Sequence, residues 1–156
     1  MKLADILSAD RVSSGHVFTS KKKALEELSK LLSKGAPDVG SGDILNSLSA
    51  REKLGSTGLG HGVAIPHGRM PGVSESVGAF MRLKHPLDYE AHDGNGVDLV
   101  FGLLVPQNAT EAHLKHLAAI AEMLSDRELR ERLLAEPDAA AVHKLIADWQ
   151  AQKSAA

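Results

Sequence analysis

The chain has 156 residues, a net charge of −2 and 24% charged residues. That is enough for one domain with a sizeable core, without the basic stripe a nucleic-acid-binding domain normally shows. No apolar run approaches the roughly 18 residues of a membrane span, and Met1–Asp5 turns acidic where a secretory signal would be apolar. Cysteine is absent, which excludes disulfides and thiol chemistry and fits a reducing compartment. The expectation is a soluble cytoplasmic protein with no membrane insertion and no nucleic-acid partner.

Taken in order, Leu3–Leu7 reads as one helical turn and Val12–Phe18 as a short strand. Thr19 or Ser20 then caps a helix on which Ala24, Leu25, Leu28, Leu31 and Leu32 recur at helical spacing. Lys34, Gly35 and Pro37 stop it, with a cation in the last turn, a C′ glycine, and a residue that cannot continue the helix. Lys21-Lys22-Lys23 reads as a solvated face in preference to a partner-docking patch. A second helix is expected from about Asp43 to Lys53, burying Ile44, Leu45 and Leu48 and placing Arg51 in its last turn. A cation there suits the negative helix end, so position alone does not separate that role from a catalytic one.

Regular packing does not explain the next segment, Arg51 to Arg69, which carries Gly55, Gly58, Gly60, Gly62 and Gly68. Ordering glycine costs more entropy than ordering other residues, so a loop this rich in it is expected to show backbone N–H groups to an anion. The apolar run Val63-Ala64-Ile65 leads into Pro66-His67-Gly68. Pro66 removes a donor and fixes φ, and Gly68 allows a sharp turn. His67 is therefore expected at a strand end with one ring face open.

Val77–Leu83 and Val97–Val105 read as strands, the second so continuously apolar that both its faces should be covered. Asp93-Gly94 and Asn95-Gly96 signal turns between them, and His85 and His92 in that connection read as surface residues. Pro106 closes the strand. Asn108, with Glu111 three positions on, resembles a capping box opening another helix. Its buried face is expected to be Leu114, Leu117, Ala118, Ala121 and Leu124. At about 100° per residue His113 falls on the edge of that face, roughly 40° from Leu117, with His116 farther towards solvent. A first-turn histidine lies near the donor-rich, positive helix end, which favours an anion, although His113 taken alone reads more often as a structural edge residue. Arg127–Leu134 and Asp138–Trp149 read as two further helices around Pro137, and Gln152–Ala156 are expected to fray.

These parts suit phosphoryl chemistry. A histidine with a pKa of about 6.5 is largely unprotonated near neutrality and can act as a nucleophile. Phosphoryl transfer asks for in-line positioning and charge stabilisation. The Ser56 and Thr57 hydroxyls, the backbone N–H groups of Gly58 and Gly68, and Arg51 as a fixed cation are candidates to supply it. One nitrogen of His67 must stay free while the other is held, typically by a backbone carbonyl. Gly58-x-Gly60-x-Gly62 is neither a P-loop nor a dinucleotide fingerprint. A zinc site from His61, His67, His113 and His116 lacks any His-Glu-x-x-His or cysteine pairing, so no metal or cofactor is expected.

The run Gly55-Ser56-Thr57-Gly58-Leu59-Gly60-His61-Gly62-Val63-Ala64-Ile65-Pro66-His67-Gly68 resembles the active-site signature of IIA components of the bacterial phosphoenolpyruvate-dependent phosphotransferase system. Within that system it is similar to the fructose/mannitol-type group and its nitrogen-regulatory member, and the likeness spans nearly the whole chain. The resemblance implies a single domain, residues 1–156. Its fold would be a three-layer α/β/α arrangement, a mixed parallel/antiparallel sheet of about five strands flanked by helices on both faces. It implies that His67 accepts a phosphoryl group from the phosphohistidine of a small carrier protein. The family's second active-site histidine matches His113, where it would hydrogen-bond the phosphate, and its arginine matches Arg51, as charge stabiliser and partner contact. His116 has no counterpart and stays a surface residue. His61 departs from the residue usual between these glycines; it is expected to be tolerated there, or else to add a titratable group near the site. The wording Arg51-Glu52-Lys53-Leu54-Gly55-Ser56-Thr57-Gly58 is closer to the nitrogen-regulatory form. That form implies that phosphorylation state governs binding to targets such as potassium transporters or sensor kinases. A stand-alone sugar component passing phosphate to a IIB domain is the alternative, and a phosphorylation-independent binding module is the alternative from another class.

Overall fold

In the computed structural model, which describes residues 3–149, the two most apolar runs pair antiparallel at the centre. They are β5 (Val77–Leu87) and β6 (Val97–Pro106), with Phe80 opposite Phe101 and Met81 opposite Val100. Alternate side chains enter two separate cores. Ala79, Met81, Val100 and Leu104 face one, and Phe80, Leu99, Phe101 and Leu103 face the other. Burial on both faces is why these runs carry almost no polar residues. The strand β1 (Val12–His16) joins the outer side of β5 in parallel.

The glycine-rich segment builds the other side of the sheet. A short hairpin of β2 (Gly58–Gly60) and β3 (Val63–Ala64) is followed by β4 (His67–Met70), and β3 and β4 both run parallel to β6. Their partners on β6, Leu99–Val100 and Leu103–Pro106, lie in one line, so β3 and β4 are one strand interrupted at Ile65-Pro66. Pro66 has no N–H to donate to the ladder. That break makes the sheet six-stranded, ordered β1-β5-β6-β3-β2 with β4 also on β6, where about five strands were expected.

Helices cover both faces. The first core is closed by α1 (Lys21–Ser33) and α2 (Ser41–Lys53), and the second by α3 (Glu111–Leu124), α4 (Arg127–Ala135) and α5 (Ala139–Asp148). The Ser20 hydroxyl caps α1 by accepting from the Lys23 N–H at 3.1 Å. Gly35 is not in the left-handed region expected of a C′ residue. It is small because a Cβ there would lie 2.6 Å from Val77 Cγ1. No described helix is long and apolar enough to cross a membrane. Gln152–Ala156 lie outside the described residues.

The start of α3 differs from expectation in a way that matters below. Asn108 does not cap the helix; Thr110 does, which makes His113 the third helical residue. The buried residues of α3 are Ile120, Met123 and Leu124, whereas Leu114 is 44% exposed and Ala118 is exposed. The helix packs on the core by its C-terminal half. Its first turn borders an open cavity, where Leu114 has no core to enter.

Candidate active site

The hairpin turn that precedes His67 is made by His61-Gly62, with φ of 57° and 81°. Two consecutive positive φ values are the mark of the two-residue turns that match strand twist, and histidine is among the side chains that tolerate this region. The His61 N–H is held by Asp93 Oδ2 at 3.1 Å, and its side chain is exposed at the hairpin tip. Hydrogen bonds from the Asn95 and then the His61 backbone hold the Asp93 carboxyl below the usual carboxylate range. His61 therefore serves the turn and does not line the cavity around His67.

Ser56, Thr57 and Gly58, expected to cradle phosphate, are also outside that cavity, because their polar groups are used within the loop. The Ser56 hydroxyl donates to Tyr89 O and accepts from the Gly58 N–H, both at 3.1 Å. Thr57 donates its N–H to Glu52 Oε1 at 3.0 Å and its hydroxyl to Glu52 Oε2. The glycines of this segment let strands and turns form closely, and the N–H groups of Gly55 and Gly58 are spent on Glu52 O and the Ser56 hydroxyl, both at 3.1 Å.

The cavity itself, about 400 Å³, brings together residues far apart in the chain. Arg51 comes from α2, His67 and Gly68 from β4, and His113, Leu114 and Leu117 from α3. Gly68 matters through its missing side chain, since a Cβ would strike the Ser47 hydroxyl. That hydroxyl donates to Arg69 O at 3.2 Å and seats α2 on β4. Arg51 lies four residues after Ser47, so it shares the helix face turned to β4. Its Nη1 donates to Gly55 O at 2.8 Å, and the fork keeps further donors for an anion.

Hydrogen bonds set both histidine tautomers. His67 Nδ1 lies 2.7 Å from Ile65 O, and a carbonyl only accepts. Nδ1 therefore carries the proton, and Nε2 keeps a free lone pair. His113 is arranged the opposite way. Its Nδ1 lies 3.1 Å from the Thr110 N–H, which only donates, and 3.0 Å from the Thr110 hydroxyl. Its proton is therefore on Nε2, which faces Glu75 Oε2 at 3.8 Å. One ring thus keeps a free nitrogen lone pair and the other presents an N–H. The shifted start of α3 is what produces this, because only at the third helical position can the ring reach back to the cap N–H.

His116 is not the solvent-facing residue expected from periodicity. It is half-buried, with Nδ1 2.6 Å from the hydroxyl of buried Ser76 and its ring centroid 6.2 Å from that of His113. Burial, and then the neighbouring His113, push its pKa below the ordinary histidine value. Glu75 and Ser76 carry no motif that marks them in sequence, and Glu52 stands out there only as part of the Arg51–Gly58 wording, with no role of its own. For His116 the three-residue spacing from His113 was the available signal. Among the described residues no group of three or more His, Cys, Asp or Glu side chains could hold a metal. A larger groove, about 550 Å³, lies between α4 and α5 and contains none of the candidate residues.

Residues 5–149 match the family model described as "Phosphoenolpyruvate-dependent sugar phosphotransferase system, EIIA 2". The nitrogen regulatory protein of Pseudomonas aeruginosa is 42% identical over 150 residues, 96% of this chain and 97% of that protein. The crystal structure of nitrogen regulatory protein IIA-Ntr from Neisseria meningitidis matches with a TM-score of 0.86 at 42% identity, covering 92% of this chain and 98% of that one. The Escherichia coli enzyme IIA mannitol, solved in complex with phosphorylated IIB mannitol, shares the fold at a TM-score of 0.75 and 22% identity, covering 91% and 97%.

Proposed function

The chain belongs to the EIIA 2 family of the phosphoenolpyruvate-dependent sugar phosphotransferase system, and from that premise we propose that it is a phosphocarrier whose His67 receives a phosphoryl group from the phosphohistidine of a small carrier protein. The carrying observation is the Nδ1–H bond from His67 to Ile65 O, which leaves Nε2 as the nucleophile beside Arg51 and His113. In the transfer, the donor's N–P bond breaks and its electron pair returns to the donor imidazole. The Nε2 lone pair of His67 forms the new N–P bond. The His67 ring gains positive character as that bond forms, which strengthens its Nδ1–H bond to the carbonyl. Arg51 and the His113 Nε2–H stabilise the phosphoryl oxygens, at the positive end of α3.

The test is transfer of labelled phosphate from phosphoenolpyruvate through the upstream enzyme and carrier, giving an acid-labile, alkali-stable phosphate on His67. Retention of the label in His67→Ala would falsify the assignment.

The downstream role is regulatory in this reading, with phosphorylation state altering binding to targets of the potassium-transporter or sensor-kinase type in the cytoplasm. Near end-to-end similarity to proteins named nitrogen regulatory supports it. The competing reading, delivery of phosphate to a IIB domain, draws support from the shared fold with IIA mannitol. Onward transfer of the label to a IIB partner would mark the sugar component, whereas pull-downs with phosphorylated and unphosphorylated protein read a regulatory role as phosphorylation-dependent target binding. Target binding that ignores phosphorylation would instead make the protein a plain binding module.

A further inference from the structure

Arg51 and Glu52 are consecutive residues of opposite charge at the end of α2, and both grip the turn that follows. Arg51 Nη1 donates to Gly55 O at 2.8 Å, while Glu52 Oε1 accepts from the Thr57 N–H at 3.0 Å. The Glu52 side chain is 6% exposed and is paired with Lys21 Nζ at 3.0 Å. Its other oxygen takes the Thr57 hydroxyl, which also lies 3.2 Å from the hydroxyl of buried Tyr89. The Lys21 ammonium lies 4.5 Å from the centroid of the Tyr89 ring. A buried ion pair is weak support for stability, since apolar residues of the same shape often serve as well.

The bonds continue beyond Thr57. Its carbonyl accepts from the Ile65 N–H at 3.1 Å, and the Ile65 carbonyl holds His67 Nδ1 at 2.7 Å. One carboxylate thus stands at the start of two paths. One runs through the helix end to Arg51, and the other runs through Thr57 and Ile65 to the ring of His67. The final turn of a helix otherwise frays.

We propose that Glu52 is a positioning residue for phosphoryl transfer, holding Arg51 in register with His67 through its bonds to Thr57; this rests on the phosphocarrier reading above. Glu52 does not line the cavity around His67.

The experiment is a double-mutant cycle of Glu52→Gln and Arg51→Ala in the full chain, with transfer from the phosphorylated carrier measured by rapid quench. Glu52→Gln should slow transfer at saturating carrier roughly ten- to a hundredfold, the range set by small misplacements, with KM for the carrier unchanged. The double variant should be no slower than Arg51→Ala alone. Thr57→Ser, which keeps both donors to the carboxylate, should transfer at close to the parent rate. If Glu52→Gln does not fold, the pair Lys21→Met with Glu52→Gln removes both charges and takes its place in the cycle. Multiplicative losses, or a parent-like rate in the Glu52 variant, would overturn the proposal. Failure of the unaltered protein to take label on His67 would instead overturn the phosphocarrier reading.

Discussion

At the scale of single residues, the site depends on where two protons sit. A carbonyl that must accept and an amide that must donate give His67 and His113 opposite tautomers. His113→Ala should therefore slow phosphoryl transfer by roughly 10²-fold, as loss of one transition-state donor does, without removing the acceptor atom on His67. Quench-flow measurement of the single transfer checks this, and unchanged kinetics would take His113 out of the site. His116 offers a prediction about stability. Its folded pKa is depressed, so the unfolded chain binds the proton more readily as pH falls through the ordinary histidine value. The contribution of His116 is thus complete above about pH 6.5. It is lost progressively on acidification until the folded-state group protonates too. Urea midpoints for the parent should fall more steeply between about pH 7 and pH 5 than those of His116→Gln. Equal slopes would remove His116 from the acid sensitivity.

At the scale of elements, three pieces of secondary structure meet because each ends at the cavity. The hydrophobic spacing that predicts α1 and α2 is obeyed, since it reports burial against a sheet and little else. The same spacing misplaces the face of α3. Periodicity assumes a core along the whole helix, and here the first turn stands over open space. The seating of α2 on β4 gives a direct test. Gly68→Ala drives a methyl group into Ser47, so it should cost roughly 1–3 kcal/mol, the range for overpacking. It should also slow transfer more than its stability loss alone explains, because Arg51 moves with the helix. Chemical denaturation beside transfer rates measures both, and a Gly68→Ala protein with parent stability would show that α2 can move aside freely.

For the whole molecule, a mixed sheet with a core on each face separates stability from chemistry. Leu28 is fully buried in the core under α1, away from the α3 face, and packs close to Gly102. Leu28→Ala should cost about 2–5 kcal/mol while the His67 Nδ1–H bond, followed by nitrogen NMR, stays as in the parent. Loss of that bond would mean that the two layers are coupled. Most of the architecture could be read from the chain, because apolar periodicity and capping residues are local properties: the two central strands, the helices and the α/β layout all follow from them. So did His67 as the candidate nucleophile, since Pro66 and Gly68 bracket it at the end of an apolar run. Local pattern could not assign the work of Ser56 and Thr57, whose partners Glu52 and Tyr89 are decided by packing. Nor could it place His116 against Ser76, or say which nitrogen of His67 or His113 holds the proton. A tautomer is set by one donor or acceptor brought within about 3 Å, and only the folded chain supplies that neighbour.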